Sequence, residues 1–417
     1  MLQRIRRQLS WKTLTQPWRD VDWILFLIPI VLTVLGGLMI RSTELQTGST
    51  NWIQHWVTGG IGVVLMLLLA TFRYETLGQW YWFIYAFTNL SLLAVRFVGT
   101  TALGAERWIS IAGFHVQPSE FAKIGAIITL AAFLSNRPSL NLIDVTKALT
   151  IISLPLILVF LQPSLGTSLV FGAITLAILY WGNANPGWLI LLISPIPAAI
   201  LANVFLPAWF VWVVLMGVVA WRTLPWMRMG AFMIVVLNLV AGSMGQVLWG
   251  LLHDYQKARI TLFLDPYQDP LGGGYHLIQS RIAIGAGQLW GRGLHQGTQT
   301  QLHFIPEQHT DFIFAAIGEE LGFVGAFLVL FVFWLLCLRL VLIAQTAKDN
   351  FGALLAVGVL AMISFQTLVN ISMTIGLAPI TGIPLPWLSY GRSALLTNFI
   401  AIGLVASVAN HRRRLKF

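Results

Sequence analysis

Charged residues are scarce in this chain: Asp, Glu, Lys and Arg make up 10% of its 417 residues, whereas 57% are hydrophobic. About a quarter of the residues of a soluble globular domain are charged, so this composition excludes an ordinary soluble fold. The mean hydropathy is +0.79, and apolar runs long enough to cross ~30 Å of hydrocarbon recur along the chain. Because lipid offers the backbone no hydrogen-bond partners, helices are favoured throughout. The predicted fold class is all-α, a polytopic helical bundle in a membrane.

Cysteine is nearly absent, since Cys337 stands alone in an apolar run, and this excludes a disulfide framework within the chain. The histidines show neither a His-x-x-His nor a His-Glu-x-x-His spacing, so the pattern gives no support to a zinc site. A nucleophile elbow and a Walker loop are missing as well. Neither a fixed-period repeat nor a low-complexity linker divides the chain, and we predict a single membrane domain over residues 1–417.

Much of the formal net charge of +10 lies at the two ends of the chain. Residues 1–20 form a basic N-terminal segment, and residues 410–417 form a basic tail. Such flanks orient a membrane protein and attract anionic lipid, so we expect no nucleic-acid partner. The N-terminal segment has no short apolar core followed by a small-residue cleavage site, and we expect no removed signal peptide.

The apolar runs number about twelve at the ~20-residue scale of a membrane span. They begin near Trp23, Trp52, Leu77, Pro118, Ala148, Leu165, Trp188, Ala208, Met227, Phe312, Phe351 and Ala394. The run at 208–221 is short for a full crossing, so it could instead pair with residues 188–206 as a hairpin that enters and leaves on one side. Both alternatives leave every later loop on the same side of the membrane. The prediction is about 10–12 spans.

Positive charge between the runs predicts the orientation. With both termini in the cytoplasm, the basic loops obey the positive-inside rule. The residues placed inside are Arg73, Arg137, Lys147, Arg222, Arg228 and Lys348. The large loop at residues 250–311 then faces the extracytoplasmic side, together with residues 99–117 and 376–388.

Titratable groups are concentrated in one stretch. Seven of the fifteen acidic residues and five of the eight histidines lie between residues 253 and 320. In a chain this poor in charge, such a concentration indicates where chemistry takes place.

The segment at 305–314 carries Glu307, His309 and Asp311 immediately before an apolar run. Pro306 disfavours helix at the residue before it, so we predict that the helix begins around residues 309–311, with Thr310 as a cap and Asp311 in the first turn. Asp311 then has two interpretations. It is either a first-turn carboxylate that complements the helix dipole or a general base at the membrane surface.

Two further groups of polar residues could serve the same chemistry. Lys257 and Arg259, early in the large loop, could hold a diphosphate through charge-assisted bonds, or they could simply be solvated at a helix end. Glycines at 272–274 are weak support for a phosphate cradle without a strand before them, and those from Gly285 to Gly297 suggest a short amphipathic or re-entrant element.

The loop before the fourth run carries Arg107 and Trp108, and Glu120 and Lys123 follow, three residues apart on one helical face. Ionisable groups at the mouth of a span are candidates for function. The alternative for Glu120 and Lys123 is a pair whose members only neutralise each other.

Several longer motifs carry a resemblance. These are GAERWISIAGFHVQPSEFAK, QPSLGTS, LHDYQKARITLFLDPYQDPLGGGYHLIQSRIAIGAGQLWGRGL, GTQTQLHFIPEQHTDFIFAAIGEELGFVGA and GIPLPWLSYGRSALLTNF. Together they resemble the SEDS family of peptidoglycan polymerases, the RodA/FtsW group, and LHDYQ is more similar to the RodA branch.

The resemblance implies a glycosyltransferase that polymerises lipid II into glycan strands on the outer face of the bacterial cytoplasmic membrane during cell-wall elongation. It assigns the catalytic carboxylate to Asp311 and places Arg107, Trp108, Glu120 and Lys123 around one central cavity. It also implies a class B penicillin-binding protein, a transpeptidase, as partner, along with other membrane proteins of an elongation complex. A division-type FtsW-like polymerase is the alternative role.

Three positions depart from the family pattern. Ser164 stands where the family has an acid in QPDLG, and Arg392 stands where SYGGS has its second glycine. In addition, the region from Trp188 to Trp249 holds two more apolar runs than the usual ten-span chain.

The expected reaction is inverting glycosyl transfer, with Asp311 taking a proton from a sugar hydroxyl. Cations would hold the leaving diphosphate, and Arg107, Lys123, Lys257 and Arg259 are the candidates. No cofactor is required by the sequence, although a divalent cation such as Mg²⁺ could share that role. A lipid II flippase is the rival function, but transporters tend to place polar groups near the midplane rather than in outer loops.

Overall fold

The computed structural model describes residues 22–411 apart from 47, 50, 103–104, 112–113, 138, 163, 252–256, 258–261 and 264. In chain order the helices are α1 (Trp23–Glu44), α2 (Asn51–Thr71), α3 (Glu75–Gln79), α4 (Tyr81–Val98), α5 (Pro118–Ser135), α6 (Leu142–Leu161), α7 (Leu165–Trp181), α8 (Pro186–Ile193), α9 (Pro195–Val204), α10 (Leu206–Thr223), α11 (Met227–Leu251), α12 (Tyr275–Gly287), α13 (Thr298–Gln301), α14 (Ile313–Gln345), α15 (Asn350–Ile375) and α16 (Arg392–Asn410). The strands are β1 (Thr100–Ala102), β2 (Ala105–Ile111) and β3 (Phe114–Val116), and a single 3₁₀ turn spans Pro266–Gln268.

The predicted helical membrane bundle is confirmed, and every predicted apolar run lies in a helix. Within the described residues, nine helices are long and apolar enough to cross a membrane, and the bent pair α8–α9 would make a tenth. The predicted run from Leu77 is divided, because α3 ends before Trp80 and α4 begins at Tyr81. Long apolar helices follow from the sequence because only internal backbone hydrogen bonds are available in lipid.

Three helices form the centre of the bundle. Most residues of α5, α15 and α16 are buried, and α5 packs against α4, α7, α15 and α16. Glycines let the backbones approach closely: a Cβ at Gly62 of α2 would overlap the ring of Phe399 on α16. Small residues at such contacts are typical of helix packing in membranes, where dispersion contacts rather than water exclusion hold helices together. The outward faces of α6, α10 and α11 are rich in exposed apolar side chains, as lipid contact requires.

Helices α8–α11 form a peripheral unit that packs mainly on itself and reaches the main bundle through α7. The run predicted from Trp188 bends by 43° between α8 and α9. Asn238 of α11 donates to the Ser194 hydroxyl at the bend at 3.0 Å. Helix α10 has 18 residues, which meets the length and hydropathy of a span. This helix is therefore long enough for a full crossing, and the short length that suggested a one-sided hairpin is not observed.

A three-stranded antiparallel ribbon, in the order β1-β2-β3, departs from the all-α prediction. Thr100 pairs with Trp108, and Ile109 pairs with Val116. Aromatic and β-branched residues suit strands, but a ribbon this short gives little periodic signal within a hydrophobic chain. Its role is local, since it carries Arg107 and Trp108.

The three loops predicted to share one side do meet at one end of the bundle. The backbone N–H of Gln117 donates to the Ser393 hydroxyl at 2.9 Å, and that of Tyr390 donates to the carbonyl oxygen of His309 at 2.9 Å. We refer to this end, formed by the described parts of residues 99–117, 265–311 and 376–391, as the loop end. The side of the membrane that it faces stays a prediction from the positive-inside rule.

Candidate active site

Asp311 lies at the loop end, half-buried, directly before α14. Its carbonyl oxygen accepts a hydrogen bond from the side-chain amide of Asn370 at 2.9 Å, and the same amide donates to the carbonyl of Ile383 at 2.8 Å. A Cβ built at the exposed Gly382 would lie 3.4 Å from the Asp311 carboxylate. The carboxylate therefore lies beside the 376–391 loop.

The start of α14 differs from the prediction. The helix begins at Ile313 with Phe312 as its N-cap, and its first turn carries no acidic residue. Thr310 is not the cap, because its hydroxyl donates to the carbonyl and the carboxylate of Glu307 at 3.0 Å and 3.1 Å. Asp311 therefore lies outside the helix, and the reading of it as a first-turn carboxylate is wrong. Helix ends depend on local contacts that a periodicity argument does not contain.

Glu307 and His309 lie in the same turn as Asp311 but differ in exposure. Glu307 is exposed, with a positive φ of 53°. The His309 ring is half-buried and packs against Tyr390, with ring centroids 5.8 Å apart. The structure thus brings both residues to the surroundings of Asp311, with His309 joined to the loop that leads into α16.

Glu120 and Lys123 form a buried ion pair in the first turns of α5. The Lys123 Nζ lies 2.8 Å from the Glu120 Oε2, and both side chains are almost completely inaccessible to solvent. This confirms the predicted pairing on one helical face. Helix α5 packs against α15, which contributes the buried polar side chains of Gln366 and Asn370. Taking two charges into the interior is unfavourable unless they are paired. Each of the two side chains therefore needs the other as its partner.

Arg107 joins the β-ribbon to Gln162, the C-cap residue of α6. Its Nε donates to the carbonyl oxygen of Gln162 at 2.9 Å, and the Gln162 side chain donates to the carbonyl of Leu92 at 2.9 Å. Further along, a Cβ at Gly166 of α7 would lie 2.7 Å from the carbonyl oxygen of Thr381, next to Gly382. A line of contacts thus runs from Arg107 to the loop that faces Asp311, while Trp108 is half-buried in β2.

The two cations of the large loop are only partly covered by the structure. Lys257 is half-buried, and Arg259 lies outside the described residues. Their predicted role in holding a diphosphate stays a prediction. Among the residues that the structure describes, no three His, Cys, Asp or Glu side chains converge as metal ligands, so the Mg²⁺ alternative also stays a prediction.

The departures at Ser164 and Arg392 lie near this region. Ser164 is the N-cap position of α7, and its hydroxyl donates to the Thr167 hydroxyl at 2.8 Å. Arg392 is the first residue of α16 and is half-buried. Both departures therefore lie at helix starts.

Sequence reasoning missed several residues that shape the site. Asn370 donates a hydrogen bond to Asp311, Gly382 lies beside the Asp311 carboxylate, and His276 of α12 stacks on Phe312 with ring centroids 6.0 Å apart. One signal was available for Asn370, because an amide inside an otherwise apolar span needs a buried partner. Gly382 and His276 gave no such signal, since their contacts come from segments far away in the chain.

Together these groups suit proton abstraction beside an anionic leaving group. A carboxylate at an open loop can accept a proton from a hydroxyl, and buried or half-buried cations can stabilise negative charge that develops nearby. These features come from three separate loops and from the buried ion pair of Glu120 and Lys123 on α5.

Comparisons with known proteins find relatives that match nearly the whole chain. The chain is 35% identical to the peptidoglycan glycosyltransferase MrdB of Escherichia coli (strain K12), over 95% of this chain and 95% of that protein. It is 35% identical to the peptidoglycan glycosyltransferase RodA of Treponema pallidum (strain Nichols), over 93% of this chain and 97% of the relative. Its structure is similar to one chain of a solved peptidoglycan synthase complex, whose description concerns the structural coordination of polymerization and crosslinking. That match has a TM-score of 0.70 and 28% identity, and covers 93% of this chain and 97% of that one.

The sequence profile described as Cell cycle protein, for FtsW, RodA and SpoVE, matches residues 21–215 and 207–414. The two matched segments meet in α10, inside the peripheral unit of α8–α11, where the sequence analysis identified extra apolar runs. Family membership is therefore supported by sequence over nearly the whole chain and by fold. The chain belongs to the FtsW/RodA/SpoVE family of cell cycle proteins.

Proposed function

We propose that this multi-pass membrane protein, a peptidoglycan glycosyltransferase, polymerises lipid II at its loop end with Asp311 as the general base. The observation that carries the proposal is the position of Asp311. Its backbone is held by Asn370, while its carboxylate lies outside α14 and beside the exposed Gly382. A fixed backbone with a half-buried carboxylate at a loop suits a base that meets a substrate hydroxyl.

In the proposed step, the Asp311 carboxylate takes the proton of the sugar 4-hydroxyl of one lipid-linked disaccharide. The hydroxyl oxygen forms a bond to the anomeric carbon of a second, lipid-linked chain. The bond between that carbon and the polyprenyl diphosphate breaks, and the diphosphate leaves with the electron pair. Attack opposite the leaving group inverts the configuration. The leaving diphosphate is already a stable anion, so the step has little need of a strong general acid.

Cations hold the leaving diphosphate in this proposal. Lys123 is paired with Glu120, and Arg107 is joined to Gln162, so both are held at fixed places in the fold. Lys257 and Arg259 are the loop candidates. Mg²⁺ is the alternative source of positive charge, and polymerisation by protein treated with EDTA, with and without added Mg²⁺, separates the two sources.

The proposed location is the bacterial cytoplasmic membrane, with the loop end on the extracytoplasmic side. The positive-inside rule supports this orientation, and the apolar spans allow the polyprenyl tails to stay in lipid while the sugars reach Asp311. A class B penicillin-binding protein is the proposed partner, because a structural relative belongs to a peptidoglycan synthase complex. The proposed cellular role is wall elongation with other elongation-complex membrane proteins, and division is the alternative.

The test compares wild type with Asp311→Asn in the polymerisation of purified lipid II. The variant keeps the size of the side chain and the Asn370 bond to the backbone, but it removes the base. We expect loss of polymerisation by about 10²–10⁴-fold in a protein that elutes and unfolds like wild type. Full activity of the folded variant would refute the assignment of the base. Normal polymerisation combined with loss of lipid II translocation would favour the flippase function.

A further inference from the structure

Helix α14 is interrupted near its start, and a distant loop fills the interruption. Gly322 has a φ of 66° and a ψ of −166°, which no helix residue adopts. The N–H groups of Arg292 and Gly293 donate to the carbonyls of Glu319 and Glu320, both at 3.0 Å. In return, the N–H groups that follow the break donate to carbonyls of residues 288 and 289. Loop and helix thus exchange the hydrogen bonds that a continuous helix would form within itself.

Glu319 lies just before this break, on the short buried part of α14, and its carboxylate collects donors from α13. The N–H groups of Gln299 and Thr300 both donate to it at 2.9 Å. The Thr300 hydroxyl donates at 2.7 Å, and the Thr298 hydroxyl lies at 3.3 Å. The side chain is fully buried. A buried carboxylate is tolerated only where donors replace water, and here those donors come from one short segment.

Arg292 and Gly297 support the same arrangement. The Arg292 Nη1 donates to the Thr298 hydroxyl at 2.7 Å, which places a cation one hydroxyl away from Glu319. A Cβ at Gly297 would lie 2.7 Å from the Glu319 Oε2. Only glycine therefore lets the chain pass this close to the carboxylate. Gly297, one of the recurrent glycines of this stretch, thus has a steric cause.

The segment held by Glu319 leads directly to Asp311. The Gln308 amide donates to the carbonyl of Thr300 at 3.0 Å and to that of Thr43 on α1 at 3.1 Å. Gln308 lies three residues before Asp311, in the turn that carries Glu307 and His309. The Glu319 carboxylate is therefore connected to that turn in two steps. It accepts hydrogen bonds from Thr300, and the carbonyl of Thr300 accepts a hydrogen bond from the Gln308 side chain.

We propose that Glu319 is a positioning residue for Asp311, which its buried carboxylate holds in place through α13 and Gln308. The inference rests on the proposed function of Asp311 as base. Glu319 itself does not touch the substrate. Its loss would let the segment at 297–311 move, so that the base meets the acceptor hydroxyl less often in the right geometry.

The test replaces Glu319 by Gln, with Glu320→Gln as the matched control. Glu320 is similarly buried, and it accepts a hydrogen bond from the Ser42 hydroxyl at 2.5 Å, which a glutamine carbonyl oxygen can also accept. At Glu319, a glutamine amide would direct its own N–H groups at backbone donors. Thr300→Val removes one donor with little change of shape, and Thr300→Ser restores it.

We expect Glu319→Gln to lower kcat for lipid II polymerisation about 10–100-fold while KM stays close to wild type. Thr300→Val should lower kcat less, Thr300→Ser should recover it, and Glu320→Gln should behave like wild type. Hydrogen–deuterium exchange should rise in residues 297–311 of Glu319→Gln and remain unchanged in α15. Wild-type turnover together with wild-type exchange in Glu319→Gln would overturn the inference. Equal loss in both glutamine variants, with exchange rising throughout the protein, would also overturn it, since that is a general folding defect.

The two readouts separate this inference from the proposed function. If Asp311→Asn abolishes polymerisation but Glu319→Gln leaves kcat and exchange unchanged, only the positioning role fails. If Asp311→Asn remains fully active, the base assignment fails, and the exchange of residues 297–311 still decides whether Glu319 anchors that segment.

Discussion

The side-chain amide of Asn370 bridges the carbonyl oxygens of Asp311 and Ile383, at 2.9 Å and 2.8 Å. One residue of the central helix α15 therefore joins the segment before α14 to the loop before α16. Because the amide is fully buried, water cannot replace either bond. The Asn370 side chain therefore helps to set the position of Asp311 relative to the 376–391 loop.

Replacing Asn370 by Ala should therefore lower both stability and turnover. Each carbonyl left without its donor in the interior costs about 1–3 kcal/mol, and the Asp311 backbone loses its fixed point. Thermal unfolding and lipid II polymerisation of the purified variant measure the two effects. The control is Asn89→Ala, because the side-chain amide of the buried Asn89 donates within its own helix, to the carbonyl of Tyr85. That variant should lose stability but keep its turnover per folded molecule, and a similar loss of turnover in both variants would contradict the bridging role.

The ion pair of Glu120 and Lys123 allows its two interpretations to be separated. Either Glu120→Gln or Lys123→Met leaves one buried charge without a partner, which costs about 3–5 kcal/mol. The double variant removes both charges and should regain most of that stability. We expect it to polymerise lipid II poorly, because the proposed cation at Lys123 is missing. A stable double variant with full activity would mean that the pair only neutralises itself.

His276 makes the stability of the loop end depend on pH. Burial lowers the pKa of His276 below its ordinary value of 6.5, although the Glu307 carboxylate and a hydrogen bond at the Pro306 carbonyl act in the opposite direction. The unfolded chain then takes up the proton at a higher pH than the folded protein does. Stability from this group is fully present above about pH 6.5 and falls as the pH drops below it.

Thermal unfolding between about pH 7.5 and about pH 5 tests this dependence. Wild type should lose more stability on acidification than His276→Gln, which has no proton to take up at that position. Identical slopes for the two proteins would show that burial of His276 does not matter for folding.

The break in α14 predicts an unusual sensitivity at one glycine. A Cβ at Gly322 would overlap the backbone nitrogen of Gly291, at a φ that side chains rarely adopt. Strain of this kind costs about 1–3 kcal/mol before the steric overlap is counted, so Gly322→Ala should lower Tm. Gly285→Ala in α12 is the control, because nothing lies within 4 Å of its Cβ position and alanine favours helix by about 1 kcal/mol. A Gly322→Ala protein as stable as Gly285→Ala would contradict the exchanged hydrogen bonds at the break.

Much of the fold was predictable because membrane helices follow from a local property. The apolar runs from Trp23 to Ala394 are long enough to span lipid on their own, whatever packs against them. The clustering of acids and histidines around Asp311 was equally visible, since charge is so rare elsewhere. The predicted helix start at residues 309–311 was wrong because a proline and a threonine do not reveal that the threonine hydroxyl donates to Glu307 instead of accepting from a helix N–H group.

Composition and hydropathy by themselves determined a polytopic helical protein with its polar chemistry in the loops, because lipid penalises unpaired polar groups wherever they occur. Motifs pointed to Asp311 and to Glu120 with Lys123. Tertiary structure alone decided that Asn370 holds Asp311, that Gly382 faces its carboxylate and that Glu319 binds α13. Each of these contacts joins segments that are far apart in the sequence. A hydrogen bond forms only where folding brings a donor within reach of an acceptor.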